Sequence, residues 1–383
     1  MAHSQRLRVW QALTVIAGGF LPSLFVATWA FAEIGAWSLL LWTAVALVGA
    51  LQVVPLKMLG ERYPNQQGGT AAYAHKVWTG RWRWLAFLSS WCYWLAWAPA
   101  TALSCHLCAK ILIHLLNLSI PVLGLTVLLM VLIYSLYSFG WARILLSSYL
   151  LGGLVGVSLM VLIAVAIGSA TVPTSQLFSV PHPSWQESAK WFFAIAWTGY
   201  GVEMLASTVA ELQDKRLSLL YGVGVILSGG AFVGIPVLVL VLTGGHVPSD
   251  DLWASLSPVL ESRLGTIGTT LLGLLVISAL LYSALAILVP ATHTVYQMAH
   301  DGLLPAWFGT VNRYGIPLGS LITDITLNLG LLLLFHQSLA NLLACANVGY
   351  LVVFTLLPLL YWRLLDRYTD PLRKGLHKAL SLF

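Results

Sequence analysis

The chain has 383 residues, 59% of them hydrophobic and only 8% charged, with 17 tryptophans and a mean hydropathy of +0.86. Soluble domains carry about 25% charged residues, so this composition excludes a water-soluble globular domain and describes a polytopic membrane protein. The net charge of +6 falls in the loops between apolar runs and does not mark a nucleic-acid partner.

In chain order, residues 1–9 run directly into the first apolar segment without a small-residue cleavage site, which predicts a retained signal-anchor helix. A span needs about 20 apolar residues. Ten segments qualify: 10–32, 36–58, 83–115, 121–139, 144–170, 189–211, 218–243, 264–292, 316–335 and 339–364. Residues 59–80 form a loop punctuated by Pro64 and Gly68-Gly69, and 171–187 form a proline-rich loop. Residues 244–263 are long enough for a short surface helix, and 298–315 form a linker. The expected organisation is an N-terminus (1–9), a first five-span repeat (10–170), an outer loop (171–188), a second five-span repeat (189–364) and a basic tail (365–383).

The positive charges set an orientation. With the N-terminus cytoplasmic, sixteen of the 19 Lys and Arg residues lie inside and only Lys110, Lys190 and Arg263 outside. That asymmetry obeys the positive-inside rule, and it would collapse if one span were missed or invented. The tail after Arg363 is basic and suits an anionic inner leaflet. The four cysteines all lie in apolar runs, so no disulfide framework is indicated.

Two spans carry interruptions at corresponding positions. Span 1 contains Ala17-Gly-Gly-Phe-Leu-Pro22 and span 6 contains Trp197-Thr-Gly-Tyr-Gly201, followed by Glu203. Each glycine weakens a helix by about 1 kcal/mol relative to alanine. Each interrupted span opens a group of five, and because five is odd the two groups run in opposite directions. Interrupted helices at matching positions of two halves point to an inverted-repeat transporter site. Helix N-termini after such breaks offer amides to a carboxylate, and freed carbonyls can receive an ammonium group. The candidate substrate-binding residues are therefore Gly18, Gly19, Phe20, Ala196, Trp197, Thr198, Gly199 and Tyr200, with the carboxylate near Gly18–Phe20 and the amine near Ala196–Gly199. Trp197 is the candidate to close over the substrate. Glu203 is an ionisable group deep in an apolar span, by default a functional one. Two roles stay open for it, capping freed amides of the break, or gating and proton carriage.

Four segments resemble the amino acid–polyamine–organocation superfamily of permeases. They are Glu61-Arg-Tyr-Pro-Asn-Gln-Gln-Gly-Gly-Thr-Ala-Ala-Tyr73, Gly201-Val-Glu203 with Glu211, Met298-Ala-His-Asp-Gly-Leu-Leu-Pro305, and Arg313-Tyr-Gly-Ile-Pro317. They match that superfamily's loop, sixth-helix, linker and ninth-span motifs in order, and the resemblance covers residues 10 to 365 or so. It implies an all-α, leucine-transporter-type five-plus-five fold, in which spans 3, 4, 8 and 9 form a scaffold and spans 1, 2, 6 and 7 a moving bundle. There are departures. Pro22 comes two positions early against the family's first-span signature. His293 and His300 stand where arginines are usual, and span 5 holds no lysine. Most relatives have twelve spans, and this sequence reads to ten.

The implied function is a secondary active transporter, a permease for amino acids or related small amines, working by alternating access as a proton-coupled symporter or an exchanger. The alternatives are an ion channel or a carrier of another solute on the same fold. A channel should show a repeated filter or a charge ring, and an enzyme a converging set of nucleophile and base; neither stands out. No Gly-x-x-x-x-Gly-Lys loop occurs, which argues against ATP drive. No cofactor and no metal are expected: Cys105-His-Leu-Cys108 lies within one helical turn and lacks a second pair of ligands. The expected partners are a small-molecule substrate, a proton, the bilayer and optionally further copies of the chain, with no nucleic acid. The expected location is a plasma (bacterial inner) membrane with both termini cytoplasmic.

Several polar and aromatic residues have plainer readings beside the functional one. The Trp91, Tyr93, Trp94 and Trp97 stripe is ordinary packing, with Trp94 as the member that would border the site. Ser278 and Ser283 either meet a sodium ion or bond their own backbone. Asp301 and Arg313 fix the linker, and Asp324 with Asn328 forms an interhelical hydrogen bond.

Overall fold

The computed structural model describes residues 7–66, 69–140, 149–168, 182–199, 201–244, 251–336 and 338–365. Span 1 is built from α1 (Val9–Thr14), a 3₁₀ stretch (Val15–Gly19) and α2 (Phe20–Ile34). It ends at Gly35, whose φ of 57° and ψ of −148° suit only glycine. Span 2 consists of α3 (Ser38–Leu51) and α4 (Val53–Arg62), interrupted at Gln52. Pro55 supplies the cause, because it has no amide for the carbonyl four residues back. A loop helix, α5 (Gly69–Val77), follows, and then α6 (Arg83–Leu116), α7 (Val122–Ser138) and α8 (Leu150–Ile167).

The second half begins with α9 (Trp185–Gly199). After it come a 3₁₀ turn (Gly201–Glu203), α10 (Met204–Thr208) and a second 3₁₀ turn (Val209–Glu211). Then come α11 (Leu217–Thr243), α12 (Leu252–His300), α13 (Leu318–Leu334) and α14 (Leu339–Leu365). α12 is two helices joined at Gly265, whose φ of 68° and ψ of 173° are non-helical. Its first part occupies the stretch expected as a surface helix. The Asp251 side chain caps it, accepting from the amides of Trp253 at 3.0 Å and Ala254 at 3.2 Å. Its second part is span 8.

Among the described residues, five continuous helical stretches are long and apolar enough to cross a bilayer: Val9–Arg62, Gly80–Leu116, Leu217–Thr243, Trp253–His300 and Leu339–Leu365. The first of these holds two spans, folded back at Gly35. Shorter apolar helices at Val122–Ser138, Gly152–Ile167 and Leu318–Leu334 supply three more, and the interrupted α9–α10 segment completes the ten. Exposed apolar side chains such as Leu47, Met160, Ile226, Ile267 and Leu351 give the surface its lipid-facing character.

The helices sort into two packed groups. α6 lies against α7, α12 and α13, which are spans 3, 4, 8 and 9. α2, α3, α9 and α11, from spans 1, 2, 6 and 7, pack on one another. α14 joins the groups by lying against both α6 and α9.

The motif loops have physical reasons. Gly69 has a φ of 57°, and a side chain there would meet the Ser207 amide nitrogen at 3.0 Å, so the loop helix presses on α10. Tyr73, fully buried, reaches under Gly60. Asn312 organises the entry to α13: its side chain donates to the Ser138 carbonyl at 2.8 Å and accepts from the amides of Tyr314 and Ile316. Gly315 supplies the positive φ that this turn requires. Asp301 takes Gln297 Nε2 at 3.0 Å and lies 3.8 Å from His75, while Arg83 donates to the Asp301 and Gly302 carbonyls. Asp301 therefore fixes the linker, as expected, and Arg313 stacks over Tyr314.

Candidate functional site

The two interruptions face each other. Gly201 lies against Ile16 of the first 3₁₀ stretch and against the Phe232 ring of α11, at 3.7 and 3.9 Å from where its Cβ would be. Phe232 in turn meets Phe20 edge-on, ring centroids 6.1 Å apart. Gly19 borders open space: a Cβ built there meets nothing within 4 Å. Phe20, Phe232 and Gly201 thus lie together at the face of the interruptions, next to Gly19.

The break in span 1 differs from the expected unwound helix. Gly19 has φ −84° and ψ −15°, and Phe20 φ −72° and ψ −43°, both right-handed helical values. The Phe20 amide is bonded to the Ala17 carbonyl, and the Gly19 carbonyl accepts the Ser23 hydroxyl at 2.8 Å. The helix is tightened into 3₁₀ geometry and stays hydrogen-bonded; mid-helix 3₁₀ stretches of this kind mark hinges or strain. Gly18 is buried in the same stretch. In span 6 the described part of α9 runs to Gly199, and a 3₁₀ turn covers Gly201–Glu203. Tyr200 lies outside the described residues.

Ala196, Trp197 and Thr198 are buried in the last turn of α9. The Thr198 hydroxyl is spent on the Ile195 carbonyl at 2.7 Å. Trp197 Nε1 donates to the Ala96 carbonyl of α6 at 3.3 Å, which pins the indole across the two helix groups. One residue on, Trp97 packs edge-on against Tyr350 of α14, with centroids 5.5 Å apart. Tyr350 donates its hydroxyl to Glu203 Oε1 at 2.9 Å, and Glu203 is only 1% exposed. Trp97, Tyr350 and Glu203 therefore form a connected layer across spans 3, 6 and 10, to which Trp197 is joined through the Ala96 carbonyl. Glu203 Oε2 has no hydrogen-bond partner among the described residues.

Tyr350 is the partner of Glu203 that sequence reasoning missed. Its place depends on Gly349, where a Cβ would overlap the Cys92 carbonyl oxygen and lie 2.8 Å from the Ala96 amide nitrogen. Glycine lets α14 touch the α6 backbone and brings Tyr350 to Glu203. On the third span the structure selects Trp97, not Trp94, as the member beside this layer. Trp94 turns away and donates Nε1 to Asp324 Oδ1 at 2.9 Å. Tyr134 donates to Asp324 Oδ2 at 2.6 Å, and Asn328 donates to Tyr134 Oη at 3.0 Å and accepts the Ala102 amide at 3.2 Å. Asp324 and Asn328 thus tie spans 3, 4 and 9 together by hydrogen bonds. Ser278 and Ser283 each donate to the backbone carbonyl four residues back. Cys108 Sγ points at the Ile277 carbonyl, and His106 Nδ1 faces the Thr126 hydroxyl at 3.3 Å.

Both ends of the interrupted helices are tied down. Beyond Glu203, the Lys215 ammonium donates to the carbonyls of Val209, Ala210 and Pro64. Such a charge suits the carbonyl end of a helix. Leu7 pairs with the same segment, its amide donating to Glu211 O at 2.8 Å and its carbonyl accepting from Gln213 N at 2.9 Å. At the opposite end Glu33 of α2 accepts from Lys190 Nζ at 2.5 Å and Trp191 Nε1 at 3.2 Å. Glu187, exposed in the first turn of α9, is held below the usual carboxylate range by hydrogen bonds from the Ser184 hydroxyl and amide. Asn347 donates to the Phe193 carbonyl, joining α14 to α9.

Two interrupted helices packed face to face within a bundle, set against a four-helix scaffold, define the leucine-transporter-type fold. The fold comparison agrees: the solved structure "Crystal structure of MhsT in complex with L-phenylalanine" superposes with a TM-score of 0.65, covering 99% of this chain and 96% of that one, at 17% identity. Residues 7–382 match the amino acid permease family, and the chain belongs to it, within the amino acid–polyamine–organocation superfamily. A curated relative, cationic amino acid transporter 3, mitochondrial, of Arabidopsis thaliana, is 29% identical over 187 residues. That match spans 48% of this chain and 29% of the relative's length.

Proposed function

We propose that the chain is a secondary active transporter that carries an amino acid or related small amine by alternating access, through the space beside Gly19. One observation carries this reading: the two interruptions lie against each other through Gly201, Ile16 and Phe232, open space borders Gly19 of the first, and the buried Trp197 and Glu203 flank the second. Substrate carboxylate would be received at Gly18–Phe20, where opening the Ala17–Phe20 bond of the 3₁₀ stretch frees an amide. The ammonium group would be received by the carbonyls at Ala196–Gly199, and Tyr200 belongs to the same proposed set. Trp197 would form the cover, releasing its bond to Ala96 when the bundle moves against the scaffold.

Glu203 and Tyr350 would form the layer beneath the substrate. The Lys215 clamp on Val209, Ala210 and Pro64 holds the segment beyond that layer, which supports reading this arrangement as a state shut on the α10 side. In the orientation that the positive charges favour, with both termini cytoplasmic, that side is the cytoplasm. Proton-coupled symport and exchange are both consistent with this geometry. The name of the Arabidopsis relative and the L-phenylalanine of the MhsT structure favour an α-amino acid as cargo.

A thermal-shift screen of the purified protein against amino acids and amines tests the reading. At least one α-amino acid should raise the melting temperature of the wild type and not of Trp197→Ala. Stabilisation that is equal in both proteins would remove Trp197 from the site, and no response to any amino acid would remove the substrate class.

A further inference from the structure

Around the start of α6 three arginines lie close in sequence or space, and they are not equivalent. Arg83 is occupied by the Asp301 and Gly302 carbonyls, at 2.7 and 3.0 Å. Arg363, in the last turn of α14, stacks its guanidinium over Trp78 and Trp82, 5.1 and 5.8 Å from their ring centroids. Arg81 stacks on the same Trp82, at 5.3 Å. Neither Arg81 nor Arg363 has a carboxylate or carbonyl partner among the described residues. Stacking fixes the plane of a guanidinium and leaves its edge of N–H donors available. Two like charges held over one indole repel each other, and an anion close to both relieves that repulsion.

The surroundings say which anion fits. The next residues of α6, Trp84 and Phe87, are 58% and 38% exposed and turn apolar faces outward. Tryptophans next to arginines at the end of a span mark the membrane–water boundary. A phosphodiester at that depth can take bidentate bonds from two guanidinium forks, while acyl chains run along Trp84 and Phe87. A soluble acidic partner would have no use for the second feature. We propose that Arg81 and Arg363, held over Trp78 and Trp82, bind the headgroup of an anionic phospholipid. The lipid joins the start of α6 to the end of α14, the two helices whose contact positions Trp97 and Tyr350. The site does not depend on which substrate is carried.

Native mass spectrometry of the full-length protein in mild detergent, with added phosphatidylglycerol or phosphatidylcholine, tests this. The wild type should retain phosphatidylglycerol and not phosphatidylcholine. An arginine near an anionic surface contributes enough that losing both, in R81Q/R363Q, should weaken retention roughly thirtyfold. R313Q, whose arginine stacks on Tyr314 elsewhere, should bind like the wild type. Glycerol phosphate, the headgroup without chains, should compete poorly. Unchanged retention in R81Q/R363Q, equal loss in R313Q, or full competition by glycerol phosphate would each overturn the proposal. Should the double variant fail to fold, R81Q alone, at an exposed position, carries the same readings with a smaller loss.

Discussion

Gly19 combines an ordinary right-handed backbone with empty space where a side chain would project. Folding therefore has no need of glycine here, and alanine should favour the helix by about 0.5–1 kcal/mol. Gly19→Ala should keep or slightly raise the melting temperature and lower substrate uptake, because its methyl group enters the proposed binding space. Uptake equal to wild type would move the site elsewhere. The depth of Glu203 was legible in the sequence, since it falls well inside an apolar span, and it is buried in the structure. Tyr350 was not, because nothing in an ordinary apolar run says which of its residues will meet a carboxylate 147 positions earlier. The choice between Trp97 and Trp94 was equally hidden: the two lie three residues apart on one helix, and only the position of Asp324 shows which way each indole turns.

At the scale of elements, the contact between α14 and α6 governs the layer beneath the proposed substrate. Gly349→Ala would force a methyl group into the α6 backbone at Cys92 and Ala96. Overpacking of this kind costs about 1–3 kcal/mol, and because both neighbours are main chain, little relaxation is available. The variant should melt lower and show reduced uptake per folded molecule; a wild-type melting curve would mean that α14 does not press on α6 as described. The interruptions show the limit of sequence reading at this scale. Glycine content located both of them. It did not show that span 1 only tightens, at Val15–Gly19, and does not unwind, since that depends on the Ser23 hydroxyl and the packing of Ile16 and Phe232.

For the whole molecule, ten apolar runs with short polar punctuation made the span count readable, and the loop motifs gave their order. The grouping of spans into scaffold and bundle rests on long-range packing that periodicity cannot express; resemblance supplied it in advance, and the contacts of α6 and α11 agree with it. The charge distribution predicts the sidedness. Single cysteines replacing Arg81 and Arg263 in a background without reactive native thiols should label from opposite faces of sealed vesicles, Arg81→Cys from the cytoplasmic one. Labelling of both from the same face would break the span count.

The central claim is that this molecule moves an amino acid through the space between its two interruptions, with Glu203 beneath it. The most direct measurement is uptake of a radiolabelled amino-acid panel into proteoliposomes, with and without an imposed proton gradient, for wild type and Glu203→Gln. Glutamine keeps an acceptor for the Tyr350 hydroxyl and removes the ionisable group, so the variant should fold. Uptake of at least one panel member is expected, with gradient-driven accumulation lost in Glu203→Gln if the protein is a symporter. Uptake only into preloaded vesicles, unaffected by the substitution, would indicate an exchanger in which Glu203 is structural. Well-folded protein that takes up no amino acid under any of these conditions would contradict the account.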